Sequence, residues 1–387
     1  MRAVAAVALP SAGLALVREL MDEFALASGL TGGAPPRRYL WTDAYAVCNF
    51  LGLHRETGEG RYLDLALRLV VDVHHVLGRH RPDDARTGWL SGLAGEEAER
   101  HPTLGGLRIG KSLPERRPDE PYDPRREWDR DGQYFHYLTQ WMHALARVGE
   151  ETGQEVFRRW AVELARTAHA RFVVRDASGR RGMLWKASVD LSRPLVASMG
   201  QHDPLDAWLA YLELEAGGTG ARDAAVRAEL ARQLVEAASL CAGARWETDD
   251  VLGIGALLVA VFRLERLVAR HGRRESELLE RLLTAARISL EVFAAGELLA
   301  HPAESRLAFR ELGLAIGLHA IERVAAPLAL AVDELHAIRR HLPLAARGDA
   351  FWSDPAHRRS RTWTEHSDIN AVMLATSLAP EGYLGPR

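Results

Sequence analysis

Six short stretches of this chain bring acids, histidines and tryptophans together. They read "WTDAY" (Trp41, Asp43), "WDRDGQYFH" (Trp128, Asp129, Asp131, His136), "GQHDPLD" (Gln201, His202, Asp203), "WETDD" (Trp246, Glu247, Asp249, Asp250), "FRE" (Arg310, Glu311) and "WTEHSD" (Trp363, Glu365, His366, Asp368). Four of the six carry Trp within three residues of an acid. That combination suits sugars, whose C–H faces pack on indole while their hydroxyls need carboxylate, His, Gln and Arg partners. Paired carboxylates cleave glycosidic bonds, one as a protonated acid and one as a base or nucleophile. Asp43, Asp131, Asp250 and Glu365 are the candidates for that work. His202 and His366 are candidate bases for a different reaction, moving a proton beside a carbonyl near neutral pH. Trp41, Trp128, Asp129, Gln201, Asp203, Trp246, Asp249, Arg310, Glu311 and Trp363, with Lys186, are candidate substrate contacts.

Capping is the competing explanation. Asp, Ser and Thr at helix starts satisfy orphan N–H groups and contribute about 1 kcal/mol each, and acids there suit the positive end of the dipole. A cap needs one residue per helix, whereas Asp129 with Asp131, Asp249 with Asp250 and Glu365 with Asp368 exceed that need. The tryptophans could equally anchor helix starts in the core, and helical histidines such as His136 and His319 read as packed residues. "QHDPLD" and "EHSD" offer metal donors at no diagnostic spacing, so no metal is expected.

The elements that must position these residues are helical almost throughout. "ETGEGRYLDLALRLVVDVHH" and "ETGQEVFRRWAVELARTAHA" repeat one unit, in which an apolar helix turns at Thr-Gly into an amphipathic helix. Read onward, this helical hairpin recurs six times. The first helices start near Leu40, Asp129, Gln201, Thr248, Leu307 and Thr364. The second start near Arg61, Glu155, Arg222, Glu275, Pro327 and, wrapping round, Ser11. The first set is apolar on most faces and the second amphipathic, which suits an inner and an outer ring. The expectation is an all-α, single-domain (α/α)6 toroid over residues 1–387, with "RGMLWKASVDLS" adding a small β-hairpin. Long connections, above all Gly78 to Glu127, gather where the inner helices begin. That segment is expected to wall or cover the site, since long loops on a rigid scaffold commonly carry function.

The totals exclude some classes. Nearly half of the 387 residues are apolar, about a quarter are charged, and the net charge is -3. No basic field argues for nucleic acid or an anionic membrane. Lys111 and Lys186 are the only lysines. Cys48 and Cys241 are too far apart in sequence to suggest a disulfide framework or zinc site. The apolar run after Arg2 resembles a short signal peptide but is broken by Pro10, Ser11 and Gly13 and continues as an amphipathic helix. A cytoplasmic protein is expected, without a membrane span.

With the hairpins and "WTDAYAVCNFLGLHRETGEGRYLDLALRL" in view, the chain resembles the six-hairpin glycosidase superfamily. Its members include unsaturated glucuronyl and rhamnogalacturonyl hydrolases and, more distantly, the N-acylglucosamine 2-epimerase group. The resemblance implies that Asp43 matches the family's catalytic Asp. It also implies a small-molecule or oligosaccharide substrate and no cofactor. Three functions follow as expectations: a glycoside hydrolase first, a sugar epimerase or isomerase with His bases second, and a non-catalytic carbohydrate-binding toroid third.

Overall fold

The computed structural model describes residues 11–175, 179–217, 224–271, 276–296, 298–324 and 332–386. Met1–Pro10 and the expected helix starts at Arg222, Glu275 and Pro327 lie outside them. In chain order the helices are α1 (Ser11–Ala27), α2 (Leu40–Thr57), α3 (Gly60–Leu77), the short α4 (Gly95–Arg100) and α5 (Pro124–Asp129), α6 (Phe135–Thr152) and α7 (Glu155–Phe172). There follow α8 (Asp203–Ala216), α9 (Ala224–Cys241), α10 (Val251–His271), α11 (Ser276–Ala295), α12 (Ala308–Glu322), α13 (Val332–Arg339) and α14 (Pro343–Ser353). The short α15 (Arg361–Thr364), α16 (Ser367–Leu378) and the short α17 (Glu381–Leu384) complete the chain. The class is all-α. Among the described residues, no helix is long and apolar enough to cross a membrane.

The chain divides into two compact units. Residues 1–27, 48–63 and 245–387 make the first, and residues 28–47 and 64–244 the second.

In the second unit, α6 and α7 form one hairpin and α8 and α9 another, with α6 packed on α8 and α7 on α9. Helix α7 shows why the pattern folds this way. Phe157, Ala161, Leu164, Ala165, Ala168 and Phe172 recur at helical spacing and are all buried, so one stripe faces the core while the Arg-rich face meets water. The Thr-Gly turn also has a local cause. Thr152 Oγ1 donates to Val148 O at 2.8 Å and accepts from Gln154 N at 3.2 Å. Gly153 then takes the left-handed conformation that closes the helix. In the first unit, Thr57 builds the same turn, with Leu53 O and Glu59 N as its partners.

Two small sheets accompany the helices of the second unit. Strand β2 (Val173–Arg175) pairs antiparallel with β3 (Arg181–Met183). Strand β4 (Lys186–Ala187) lies between β1 (Gln133–Tyr134) and β5 (Pro194–Val196). The segment expected to add a β-hairpin contributes β3 to one antiparallel pair, with β2, and β4 to another, with β5. Strand β1 also corrects a helix start. The sequence places it near Asp129, but the chain passes through α5 and β1 before α6 begins at Phe135. The long connection from Gly78 is not wholly superficial, because Thr103, Leu107 and Ile109 are fully buried.

In the first unit, α10 pairs with α11 and packs closely on α12, α12 packs on α14 and α16, and α1 lies against α16. The α10–α12 contact is a glycine seam. A Cβ at Gly255 would sit 2.1 Å from Gly313 O, and one at Gly317 would sit 2.5 Å from Gly255 O. Only glycine lets the two backbones approach this closely.

Candidate functional site

The second unit gathers titratable groups at the starts of α6 and α8. Helix α6 is capped by Tyr134, which puts His136 in its first turn, and α8 begins at Asp203. His136 Nδ1 is buried 3.6 Å from Asp203 Oδ1. Asp203 is fixed by a tight turn in which its Oδ2 accepts the Gly200 N–H at 3.1 Å and its own N–H reaches Gly200 O. A Cβ at Gly200 would fall 2.5 Å from Asp203 Oδ2, so any larger residue there would push the carboxyl aside.

Burial disfavours charge on both groups. It lowers His136 to about 4, while burial and then the neighbouring Asp206 raise the Asp203 carboxyl well above its usual range. Both groups are thus favoured in their uncharged forms, and at 3.6 Å the two atoms lie beyond hydrogen-bond distance. The His136 side chain nevertheless keeps 28 % of its surface exposed. With Nδ1 buried, that surface belongs to the rest of the side chain.

Aromatic rings surround the pair. His136 lies 4.9 Å from the Tyr137 ring, 5.4 Å from Tyr134 and 6.3 Å from Trp185, parallel to the last within 8°. Tyr134 is buried among them, 4.9 Å from Trp185 and 5.2 Å from Tyr137. Beyond these rings, Tyr39 shares a 2.7 Å hydrogen bond with the Tyr137 hydroxyl. Trp128, 53 % exposed, tilts over Trp185 at 5.8 Å. The Lys111 ammonium stands 5.4 Å from both Tyr39 and Trp128 and closes the circuit. The result is an aromatic cluster that includes the His136 imidazole, with the Asp203 carboxyl beside it.

The expected acids of this unit are already engaged. Asp131 is fully buried and accepts from Arg108 at 2.5 Å and from the Gly110 and Gly132 N–H groups at 3.0 Å each. Asp43 accepts the Tyr39 N–H at 2.9 Å at the start of α2, with Arg38 3.7 Å away. These are capping and loop-closing geometries. Lys186, expected at the substrate, is instead fully buried, donating to Glu127 O, Glu127 Oε1 and Arg130 O at 2.7–3.0 Å. Trp41 is buried against Tyr45, Asp129 and Gln201 are exposed, and His202 is the N-cap of α8.

In the first unit, Asp250 accepts the Gly253 N–H at 3.2 Å as the cap of α10 and pairs with Arg310. Glu311 is buried between Arg306 and the Trp352 N–H, at 2.5 and 2.9 Å. Trp246 and Trp363 are buried, and Trp363 stacks on Trp352 at 5.7 Å. Asp249 and Glu365 are exposed, the latter 3.6 Å from Arg361. His366 is exposed at the start of α16, in a T-shaped contact with Phe309 at 5.7 Å.

The sequence analysis reads His136 as a packed residue and does not single out Tyr134, Tyr137, Trp185, Tyr39 or Lys111 as site residues. The signals were present in the aromatic run "QYFHY" and in the rarity of lysine. Among the described residues, no group of three or more His, Cys, Asp or Glu side chains is arranged to hold a metal ion.

No family profile matches this chain, and no curated protein matches it. Solved structures do align along most of its length. A sugar epimerase from a ruminal bacterium aligns with a TM-score of 0.46 and 10 % identity, over 85 % of this chain and 86 % of that one. A D-mannose isomerase gives 0.48 and 10 %, over 95 % and 97 %. Cellobiose 2-epimerase from Spirochaeta thermophila DSM 6192 gives 0.44 and 16 %, over 86 % and 87 %.

Proposed function

We propose that this chain is a sugar isomerase or epimerase in which His136 moves a proton beside the sugar carbonyl. One observation carries the reading: His136, a member of the aromatic cluster, has its Nδ1 3.6 Å from Asp203 Oδ1. The rings suit the C–H faces of a sugar. The imidazole, held neutral by burial, suits a base that must work without being protonated first.

The reaction starts from the open-chain sugar. In the active form Asp203 is a carboxylate and the single ring proton of His136 sits on Nδ1, so Nε2 offers a lone pair and takes the C2 proton. The C2–H electron pair forms the enediol double bond, and the carbonyl π electrons move to oxygen. Asp203 balances the imidazolium that results. Passage of the C2 hydroxyl proton to O1 and return of the carbon-bound proton to C1 gives aldose–ketose isomerisation and needs one base on one face. Return to the opposite face of C2 gives the epimer and needs a second group, for which His202 at the start of α8 is the candidate. One histidine in the cluster favours isomerisation.

The hydrolase reading has less support, because the carboxylates it needs are occupied. Asp131, Asp43 and Asp250 each accept a backbone N–H and face an arginine, and Glu365 is exposed beside Arg361.

The test is hydrogen exchange. In D2O the protein should place deuterium on C2 of an aldose or C1 of the corresponding ketose, read by NMR, and His136→Gln should abolish it. Release of monosaccharide from a glycoside without exchange would return the hydrolase to first place.

A further inference from the structure

We infer that Lys111 recognises an anionic group at the far end of the sugar chain, so that the substrate is an acidic sugar carrying a carboxylate or phosphate. The inference deepens the isomerase reading and names the substrate class of the same site.

Lys111 sits unusually for a lysine in this chain. The only other one, Lys186, is saturated by three oxygens in the core. Lys111 is half-buried, and its ammonium stands over the rings of Tyr39 and Trp128, 5.4 Å from each. No carboxylate lies within ion-pair distance of it among the described residues, and the charges of the exposed Asp129 and the buried Asp131 act on it only from farther off. Two rings are weak compensation for an ammonium drawn out of water, since a cation–π contact at a partly exposed site contributes about 0.5–1 kcal/mol. Burial accordingly lowers the affinity of Lys111 for its proton, the effect an arriving anion would reverse.

Lys111 and His136 belong to one connected group of rings. Two rings link Lys111 to His136 by either of two routes, Tyr39 and Tyr137 on one and Trp128 and Trp185 on the other. A sugar whose carbonyl end meets His136 would carry its last carbon, and any acid on it, toward Lys111. A compact ammonium suits this place, because it donates in three directions and accepts either oxyanion without a fixed fork.

Calorimetric titration with glucose, glucuronate and glucose 6-phosphate tests the assignment. At least one of the two acids should bind about ten- to hundredfold more tightly than glucose, the scale of a hydrogen bond to a charged group. Which acid it is distinguishes carboxylate from phosphate. The preference should disappear in Lys111→Met and persist in Lys111→Arg, with thermal melts confirming that both variants are folded. Equal affinity for all three ligands, no binding by either acid, or a preference surviving in Lys111→Met would overturn the inference. The readout is binding, so it stands apart from turnover. Absence of deuterium exchange together with a Lys111-dependent preference would sink the isomerase reading and leave the acidic ligand in place.

Discussion

Asp131 Oδ2 lies 2.5 Å from Arg108 Nη1, and Arg81 Nη1 stands 3.8 Å from the same oxygen. Arg108 in turn donates to Val76 O and Arg79 O, tying this acid to the end of α3 and the start of the long connection. Asp131 is a structural anion. Asp131→Asn should therefore cost about 3–5 kcal/mol of stability, because it leaves a buried guanidinium short of its partner. Urea denaturation measures this. A variant as stable as the parent but without turnover would restore Asp131 to catalysis.

Gly200→Ala tests the His136–Asp203 pair without touching either member. The added Cβ would displace the Asp203 carboxylate, 2.5 Å away. Deuterium exchange should fall by about a hundredfold or more, the scale of general acid–base contributions. Asp203→Asn should do the same. A Gly200→Ala enzyme of unchanged rate would show that Asp203 does not need its present position.

The pH profile of kcat/KM should place its acid limb near 4, not at the ordinary histidine value, because burial holds His136 there. The active form has His136 neutral and Asp203 ionised, so activity rises through that limb and rises further as the buried Asp203 loses its proton. A profile without the limb near 4 would mean that another group is the base.

His74 predicts how the fold fails in acid. Its Nε2 accepts the Trp141 N–H at 3.2 Å in the core of the second unit, and burial holds it at about 3. The unfolded chain binds this proton near 6.5, earlier than the folded chain does. Stability is thus full above pH 6.5 and drains away between 6.5 and about 3, by about 1.4 kcal/mol per pH unit from this group. Denaturant midpoints of His74→Gln measured across that range should slope less steeply than the parent's. Identical slopes would remove His74 as the cause.

Much of the helical order was legible because it depends on neighbours in sequence. The 3.6-residue stripe of α7 and the Thr57 and Thr152 turns are local, and α2 and α7 begin at Leu40 and Glu155 where the pattern places them. The start of α6 was not legible, because the acids Asp129 and Asp131 imitate caps. The strand that displaces the helix start is set by pairing of Gln133 and Tyr134 with Ala187 and Lys186, far along the chain. The use of each acid was hidden for the same reason. Arg108 reaches Asp131 across 23 residues, Arg310 reaches Asp250 across 60, and Trp352 reaches Glu311 across 41. Residue type shows that an acid stands at a helix entrance, but only the tertiary fold shows which arginine arrives to occupy it.

The glycine seam of Gly255, Gly313 and Gly317 limits how the first unit can move. A one-turn slide of α10 along α12 would bring side chains to points where only bare backbone fits, so the pair has a single axial register. These helices can tilt or separate, but they cannot ratchet past each other. A ligand-driven change within this unit would have to be absorbed by other helices, leaving the amides along the seam among the last to exchange with solvent.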